Sequence, residues 1–346
     1  MPVIMDGDRP LPCWAEMRKL DPRSGKLEAP AEALRIALVN NMPDAALEDT
    51  ELQFLELLHA ASGEIPVALH FFSLPKVPRT ERGEQHLANF YSGTDELWNS
   101  RIDAMIVTGT EPRRPDLRDE PYWDAMTDLF DWAEDNTVST VLSCLAAHAA
   151  VLHRDEICRH PLGDKRLGVF PSMSVMRHDL INDAPDAFSF PHSRWNEVRG
   201  DELTSAGYDV VLNSPDAGVD LFVKKKGKAL FLHFQGHPEY GPRTLLKEYR
   251  RDIKRFLRGE RPNYPSMPLG YFDEAGAKIL DAFRTQALLN PREELLASFP
   301  EAEIARTLQK TWHPGAVCIY RNWLRYISAK KNETPKLVGV VRSERT

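Results

Sequence analysis

The sequence predicts an α/β fold: a doubly wound, mostly parallel sheet flanked by helices. Strand-like and helix-like segments alternate from residue 34 to about residue 153. The strand segments are continuous apolar runs rather than apolar–polar alternations, as expected when both faces of a sheet are covered. The chain has 346 residues, 42% of them hydrophobic. That is enough for one large domain with additions, or for two domains.

The elements follow in order. Residues 1–32 are rich in Pro and charge and read as an N-terminal extension. "LRIALVNN" (34–41) is the first buried strand, and "LEDTELQFLELLHAAS" (47–62) has helical spacing. "VALHFFSL" (67–74) is the second strand, and "RGEQHLANFYSG" (82–93) a helix. "IDAMIVTGT" (102–110) is the third strand, and "PYWDAMTDLFDWAED" (121–135) an amphipathic helix. "TVSTVLSC" (137–144) is the fourth strand and feeds a helix from about 145 to 153. Residues 155–200 show no regular period. "DLFVKKKGKALFLHFQG" (220–236) reads as a hairpin about a Lys-Gly turn. "PRTLLKEYRRDIKRFLRG" (242–259) is a helix stopped by Gly259, followed by the Pro-rich link "ERPNYPSMP". Helical segments are expected at roughly 274–290 and 300–328. The resulting division is an extension (1–32), a main domain (33–260), a C-terminal helical extension packing on it (261–328) and a mobile tail (329–346).

Composition removes several function classes. The formal net charge is −7, so the basic runs "VKKKGK" and "EYRRDIKRFLRGER" read as solvated faces, with no nucleic-acid or membrane-surface partner expected. The four cysteines, Cys13, Cys144, Cys158 and Cys318, form no CxxC pair and suit neither zinc nor a dense disulfide framework. A cytoplasmic location is expected, with no signal peptide, no transmembrane span and no metal.

Two segments carry chemistry. In "VSTVLSCLAAHAAV" (138–151) a β-branched run stops at Cys144, and small residues follow. A strand that ends in a nucleophile and turns sharply into a helix exposes that residue at the carboxyl edge of the sheet. A helix N-terminus also favours a thiolate. The alternative is a buried packing cysteine. A thiol nucleophile needs a base and an orienting group. His237 in "HFQGHPEY" (233–240) follows an apolar strand, and Glu239 stands two residues on. Cys144 and His237 would meet along the carboxyl edge, where open α/β sheets place their sites. His237 can otherwise be read as a turn histidine satisfied by backbone.

"LVNNMPDAALEDTELQFLELL", "IDAMIVTGTEP", "STVLSCLAAHAAV", "KRLGVF", "FPHSRWNEV", "GHPEYGPRTLLKEYRRD" and "RNWLRYI" occur in this order. Together they resemble the homoserine O-succinyltransferase family of the class I glutamine amidotransferase-like superfamily. The resemblance implies that superfamily's flavodoxin-like sheet and a Cys144–His237–Glu239 triad. It implies acyl transfer from acyl-CoA (succinyl-CoA preferred over acetyl-CoA) to L-homoserine, by way of a Cys144 acyl-enzyme, in methionine biosynthesis. Acyl-CoA would be a co-substrate, with no bound cofactor, and a homodimer is implied. Lys165, Ser193 and Arg251 match the family's substrate contacts. Arg113 stands at the position of the acyl-specificity loop, where the family carries Gly or Glu. The chain departs from the family pattern at Leu145 and His148 and lacks the first-loop lysine, so oxyanion stabilisation falls to backbone N–H groups such as that of Leu145. Transfer to another hydroxy amino acid such as serine, and glutamine hydrolysis, are the alternatives.

Overall fold

The computed structural model describes residues 3–5, 29–185 and 187–333. Most of the extension expected over 1–32, and the tail from residue 334, lie outside the described residues. Ten strands form one sheet: β1 (Val3–Met5), β2 (Leu34–Val39), β3 (Val67–Phe72), β4 (Ala104–Val107), β5 (Ser139–Ser143), β6 (His160–Ser174), β7 (Phe188–Glu197), β8 (Asp209–Ser214), β9 (Gly218–Lys226) and β10 (Ala229–Phe234). Their order across the sheet is β1-β3-β2-β4-β5-β10-β9-β8-β6-β7. From β1 to β10 neighbouring strands are parallel; from β10 to β7 they are antiparallel.

The helices are α1 (Leu47–Ser62), α2 (Glu81–Phe90), α3 (Thr94–Asn99), α4 (Trp123–Asn136), α5 (Leu145–Asp155), α6 (Gly200–Ser205), α7 (Thr244–Leu257), α8 (Glu274–Leu289), α9 (Glu301–Ile304) and α10 (His313–Glu333). They cover both faces of the parallel half. Side chains alternate across a strand. Ile36 and Leu38 of β2 therefore join Phe54 of α1 and Trp323 of α10 in one core. Ala37 and Val39 join Phe130 of α4 and Ala146 of α5 in a second core on the other face. The apolar runs reflect this double burial. A third core holds Tyr249 of α7, Phe283 of α8 and Trp312.

The structure differs from the sequence reading in several places, among them α10, which runs to Glu333 into the segment read as a mobile tail, and β8, which stands where no element was expected. Val3–Met5 pairs in parallel with β3, so a strand stands inside the segment read as an extension. Residues 155–200 contain the longest strand, β6, paired with β7. Its first half is mostly exposed or half-buried, and the register shifts between Pro161 and Arg166, which hides the strand period. The helix expected over 300–328 is two helices, with Pro314 at the start of the second, a position that suits a residue without an N–H.

His233 of β10 is fully buried, stacked on Phe222 at 4.6 Å and edge-on to Tyr208 at 5.4 Å. Burial, with Arg154 nearby, holds its pKa down at about 3. Below its ordinary pKa the unfolded chain takes up a proton that the folded chain refuses. Stability therefore falls as pH drops from the unfolded value, about 6.5, towards 3. His233→Phe keeps the ring and removes the titration. Urea melts at pH 7 and pH 5 should show the variant losing about 2 kcal/mol less than the parent over that interval. Equal losses would show that His233 is not held neutral.

Candidate active site

β5 ends at Ser143, and Cys144 adopts φ 51° and ψ −108° before α5 begins at Leu145. A positive φ is costly for a residue with a Cβ and persists only where the surroundings enforce it. Here the Cys144 N–H donates to the Phe234 carbonyl of β10 at 2.7 Å. The Cys144 carbonyl accepts from the His148 N–H at 3.2 Å. On the other side lies Gly109, just after β4. A Cβ at that position would stand 2.4 Å from Leu145 Cβ, so only glycine fits. The N–H of Leu145 lies in the first turn of α5, where a helix supplies no partner for it. Leu145 lines the same pocket as Cys144, of about 520 Å³.

His237 follows the end of β10. Its N–H donates to the Pro191 carbonyl at 2.8 Å, and its ring stacks on Tyr240 with centroids 4.1 Å apart. Nδ1 bonds Glu239 Oε1 at 2.8 Å, and the Cys144 side chain lies close enough to the imidazole to raise its pKa. Ser143 Oγ donates to the same Glu239 oxygen at 3.4 Å. Burial alone would lower the His237 pKa. The charges of Glu239 and Cys144 outweigh it and hold the pKa well above its ordinary value. Both His237 and Glu239 are buried, so these charges act with little screening. The three residues singled out in the sequence therefore come together as a thiol, an imidazole and a carboxylate.

Lys165, Ser193 and Arg251 also come together, around Glu248 on α7. Ser193 Oγ donates to Glu248 Oε2, which also takes Lys165 Nζ at 3.3 Å and Arg251 Nη2 at 3.4 Å. Tyr240 OH donates to Glu248 Oε1 at 2.6 Å. Asp252 accepts from Lys165 at 2.8 Å and from Arg251 at 3.3 Å. Burial would raise the Glu248 pKa, but Lys165 and Arg251 pull it below its ordinary value. Tyr240 thus connects this polar cluster to the His237 ring. Arg113 does not join either group. It is exposed and does not line the pocket, and its N–H is bound by Glu120 Oε1.

Several functional positions escaped the sequence reading. Arg194 is buried and lines the pocket. Burial takes its pKa down to about 10, against the opposing pull of the Cys144 charge. Its Nε donates to His192 Nδ1 at 3.2 Å, and His192 Nε2 bonds Asp220 Oδ1 at 2.5 Å. That network assigns the His192 proton to Nε2. His148, one of the departures from the family pattern, lines the pocket. Its Nε2 meets Gln235 Oε1 at 2.9 Å, and burial keeps it neutral with a pKa of about 3. In the first loop, where the family lysine is missing, Asp44 pairs with Arg79 at 3.3 Å. Arg79 also donates to the Met42 carbonyl and to Ser73 Oγ, so that loop is pinned along the pocket rim. Glu248 and Asp252 had a readable signal: with Arg251 they share one face of α7 at helical spacing.

Among the described residues no group of three or more His, Cys, Asp or Glu side chains is placed to hold a metal ion. No helix among them is long and apolar enough to cross a membrane.

A family model described as homoserine O-succinyltransferase matches residues 24–334. A homoserine O-succinyltransferase of Rhodopseudomonas palustris is 46% identical over 302 residues, covering 87% of this chain and 90% of that protein. One from Methylorubrum extorquens is 43% identical, covering 85% and 87%, and one from Bradyrhizobium japonicum is 41% identical, covering 95% and 99%. A solved glutamine amidotransferase of Thermotoga maritima aligns with a TM-score of 0.43 at 11% identity, covering 85% of this chain and 98% of that one.

Proposed function

The chain belongs to the homoserine O-succinyltransferase family, and from that premise we propose that it transfers a succinyl group from succinyl-CoA to the hydroxyl of L-homoserine through an acyl-enzyme on Cys144. The observation that carries this reading is the placement of Cys144 at a strained helix start, in one pocket with a His237 that Glu239 holds.

For attack the Cys144 proton passes to His237, whose cation Glu239 supports. The thiolate attacks the thioester carbonyl carbon. The C–S bond to CoA breaks, and the departing CoA sulfur takes the His237 proton. Negative charge on the carbonyl oxygen is met by backbone N–H groups at the start of α5, Leu145 first among them. Acylation removes the thiolate charge that helped to raise the His237 pKa. The imidazole is then free to act as a base. It takes the hydroxyl proton of homoserine while that oxygen attacks the acyl carbon. The bond to Cys144 Sγ breaks, and the thiolate–imidazolium pair returns. Glu239 keeps Nδ1 as the bonded nitrogen throughout, leaving the other nitrogen to carry the proton.

The acceptor would be an amino acid held in the Lys165–Ser193–Arg251 cluster. Arg251 suits its carboxylate, because a guanidinium makes two parallel hydrogen bonds. Glu248 and Asp252 pair with these cations, so binding exchanges internal ion pairs for ligand ones. The test is CoA-thiol release with succinyl-CoA against a panel of homoserine, serine and water, with ammonia release from glutamine alongside. Release that depends on homoserine is the expected result. Release faster with serine would move the acceptor, and ammonia release without thiol release would replace acyl transfer by hydrolysis.

A further inference from the structure

Arg159 lies on the connection between α5 and β6 and lines the pocket that holds Cys144, Leu145 and His148. It is half-buried. Its one hydrogen bond among the described residues runs from Nη2 to the Pro115 carbonyl at 3.2 Å. The other cations of this pocket are already matched. Lys165 and Arg251 meet Glu248 and Asp252, Lys247 meets Asp49, and Arg255 meets Glu111. Arg194 is tied to His192, to two backbone carbonyls and, at 3.9 Å, to Glu197. Among the described residues no carboxylate lies within ion-pair distance of Arg159. Glu120 and Asp116 are close enough to act on it electrostatically, but Glu120 Oε1 is taken by the N–H groups of Arg113 and Arg114, and Asp116 pairs with Arg118 at 2.7 Å. Arg159 also acts electrostatically on Cys144 and on His148, which places it on the nucleophile side of the pocket, away from the α7 cluster.

A partly buried guanidinium without a counter-charge is costly unless a ligand supplies one. A succinyl donor brings such a charge: a carboxylate at the far end of the four-carbon chain whose other end is bonded to Cys144. We propose that Arg159 binds the terminal carboxylate of the donor's acyl group and so determines donor choice. This rests on the acyl-transfer reading above and adds to it a specificity residue. It replaces Arg113 in that role, because Arg113 points its side chain to solvent rather than into the pocket.

The experiment compares succinyl-CoA with butyryl-CoA, a donor of equal chain length without the charge, using homoserine as acceptor. Full-length wild type, Arg159→Gln and Arg159→Lys are each assayed for CoA release, with a thermal melt to show that each is folded. Arg159→Gln is expected to lower kcat/KM for succinyl-CoA about 100-fold and to leave butyryl-CoA within about threefold, because a desolvated charge pair loses one partner. Arg159→Lys should recover part of the succinyl rate. An unchanged succinyl-to-butyryl ratio in the Gln variant overturns the proposal, as does an equal loss with both donors. Wild type that releases CoA from neither donor overturns the acyl-transfer reading itself, and this proposal with it.

Discussion

Cys144→Ala is expected to lower succinyl transfer by about 10⁴-fold or more and to remove any acyl adduct. In the proposed mechanism Sγ forms and breaks the covalent bond between enzyme and acyl group, and among the described residues no second cysteine lines the pocket. Cys158 is exposed after α5 and Cys318 lies in α10 against the Asn182 carbonyl. The fold should persist. Alanine at φ 51° carries the same backbone strain as cysteine, and the bonds from residue 144 to Phe234 and His148 are main-chain bonds. Cys144→Gly separates the two roles further. Glycine adopts this φ without a Cβ penalty, so the inactive Gly variant should be more stable than the Ala variant, by about 1 kcal/mol in a urea melt. Retained transfer in Cys144→Ala would place the chemistry elsewhere. A less stable Gly variant would show that the turn is unstrained.

The second large effect belongs to His237. His237→Gln removes the base and the cation that faces the thiolate. Both half-reactions should slow, with loss of about 10⁴-fold or more in transfer. The pH dependence gives the sign of the coupling. Because Glu239 and Cys144 hold the His237 pKa well above its ordinary value, the imidazolium persists through neutral pH in the free enzyme. Its contribution to stability is present below the unfolded pKa and is lost as pH rises through the folded one. With the base and its positive charge gone, thiol alkylation by iodoacetamide at pH 7 should be slower in His237→Gln than in wild type. Equal rates would separate His237 from Cys144 and leave it as a turn residue.

The parts of the fold legible in the sequence are those where burial on both faces writes a continuous apolar run. β2 to β5 and the β9–β10 hairpin are of this kind. β6 and β7 are not, since they lie in the antiparallel half, carry Gly, Pro, His and Arg, and bury only part of their length. The proximity of Cys144, His237 and Glu239 was legible because each stands in a short, distinctive context: Cys144 at the end of a β-branched run, and His237 and Glu239 two residues apart between Gly236 and Tyr240. Arg194 and Arg159 were not. A polar residue in an irregular stretch shows its role only when the fold brings its partners to it. For Arg194 these are His192, Asn196 and Ala217, and for Arg159 the carbonyl of Pro115. Arg113 is the opposite case, named in the sequence and exposed outside the pocket. Its place in the chain matched a specificity loop, and the loop turns its side chain outward while its N–H anchors to Glu120.

The central claim is that the acyl group passes through Cys144. Intact-mass measurement after mixing the protein with succinyl-CoA, without acceptor, tests it most directly. The expected result is a mass increase of one succinyl group that peptide mapping places on Cys144, and that disappears when homoserine is added. An unmodified protein that nonetheless consumes succinyl-CoA once homoserine is present would contradict it, since transfer would then run directly between the substrates.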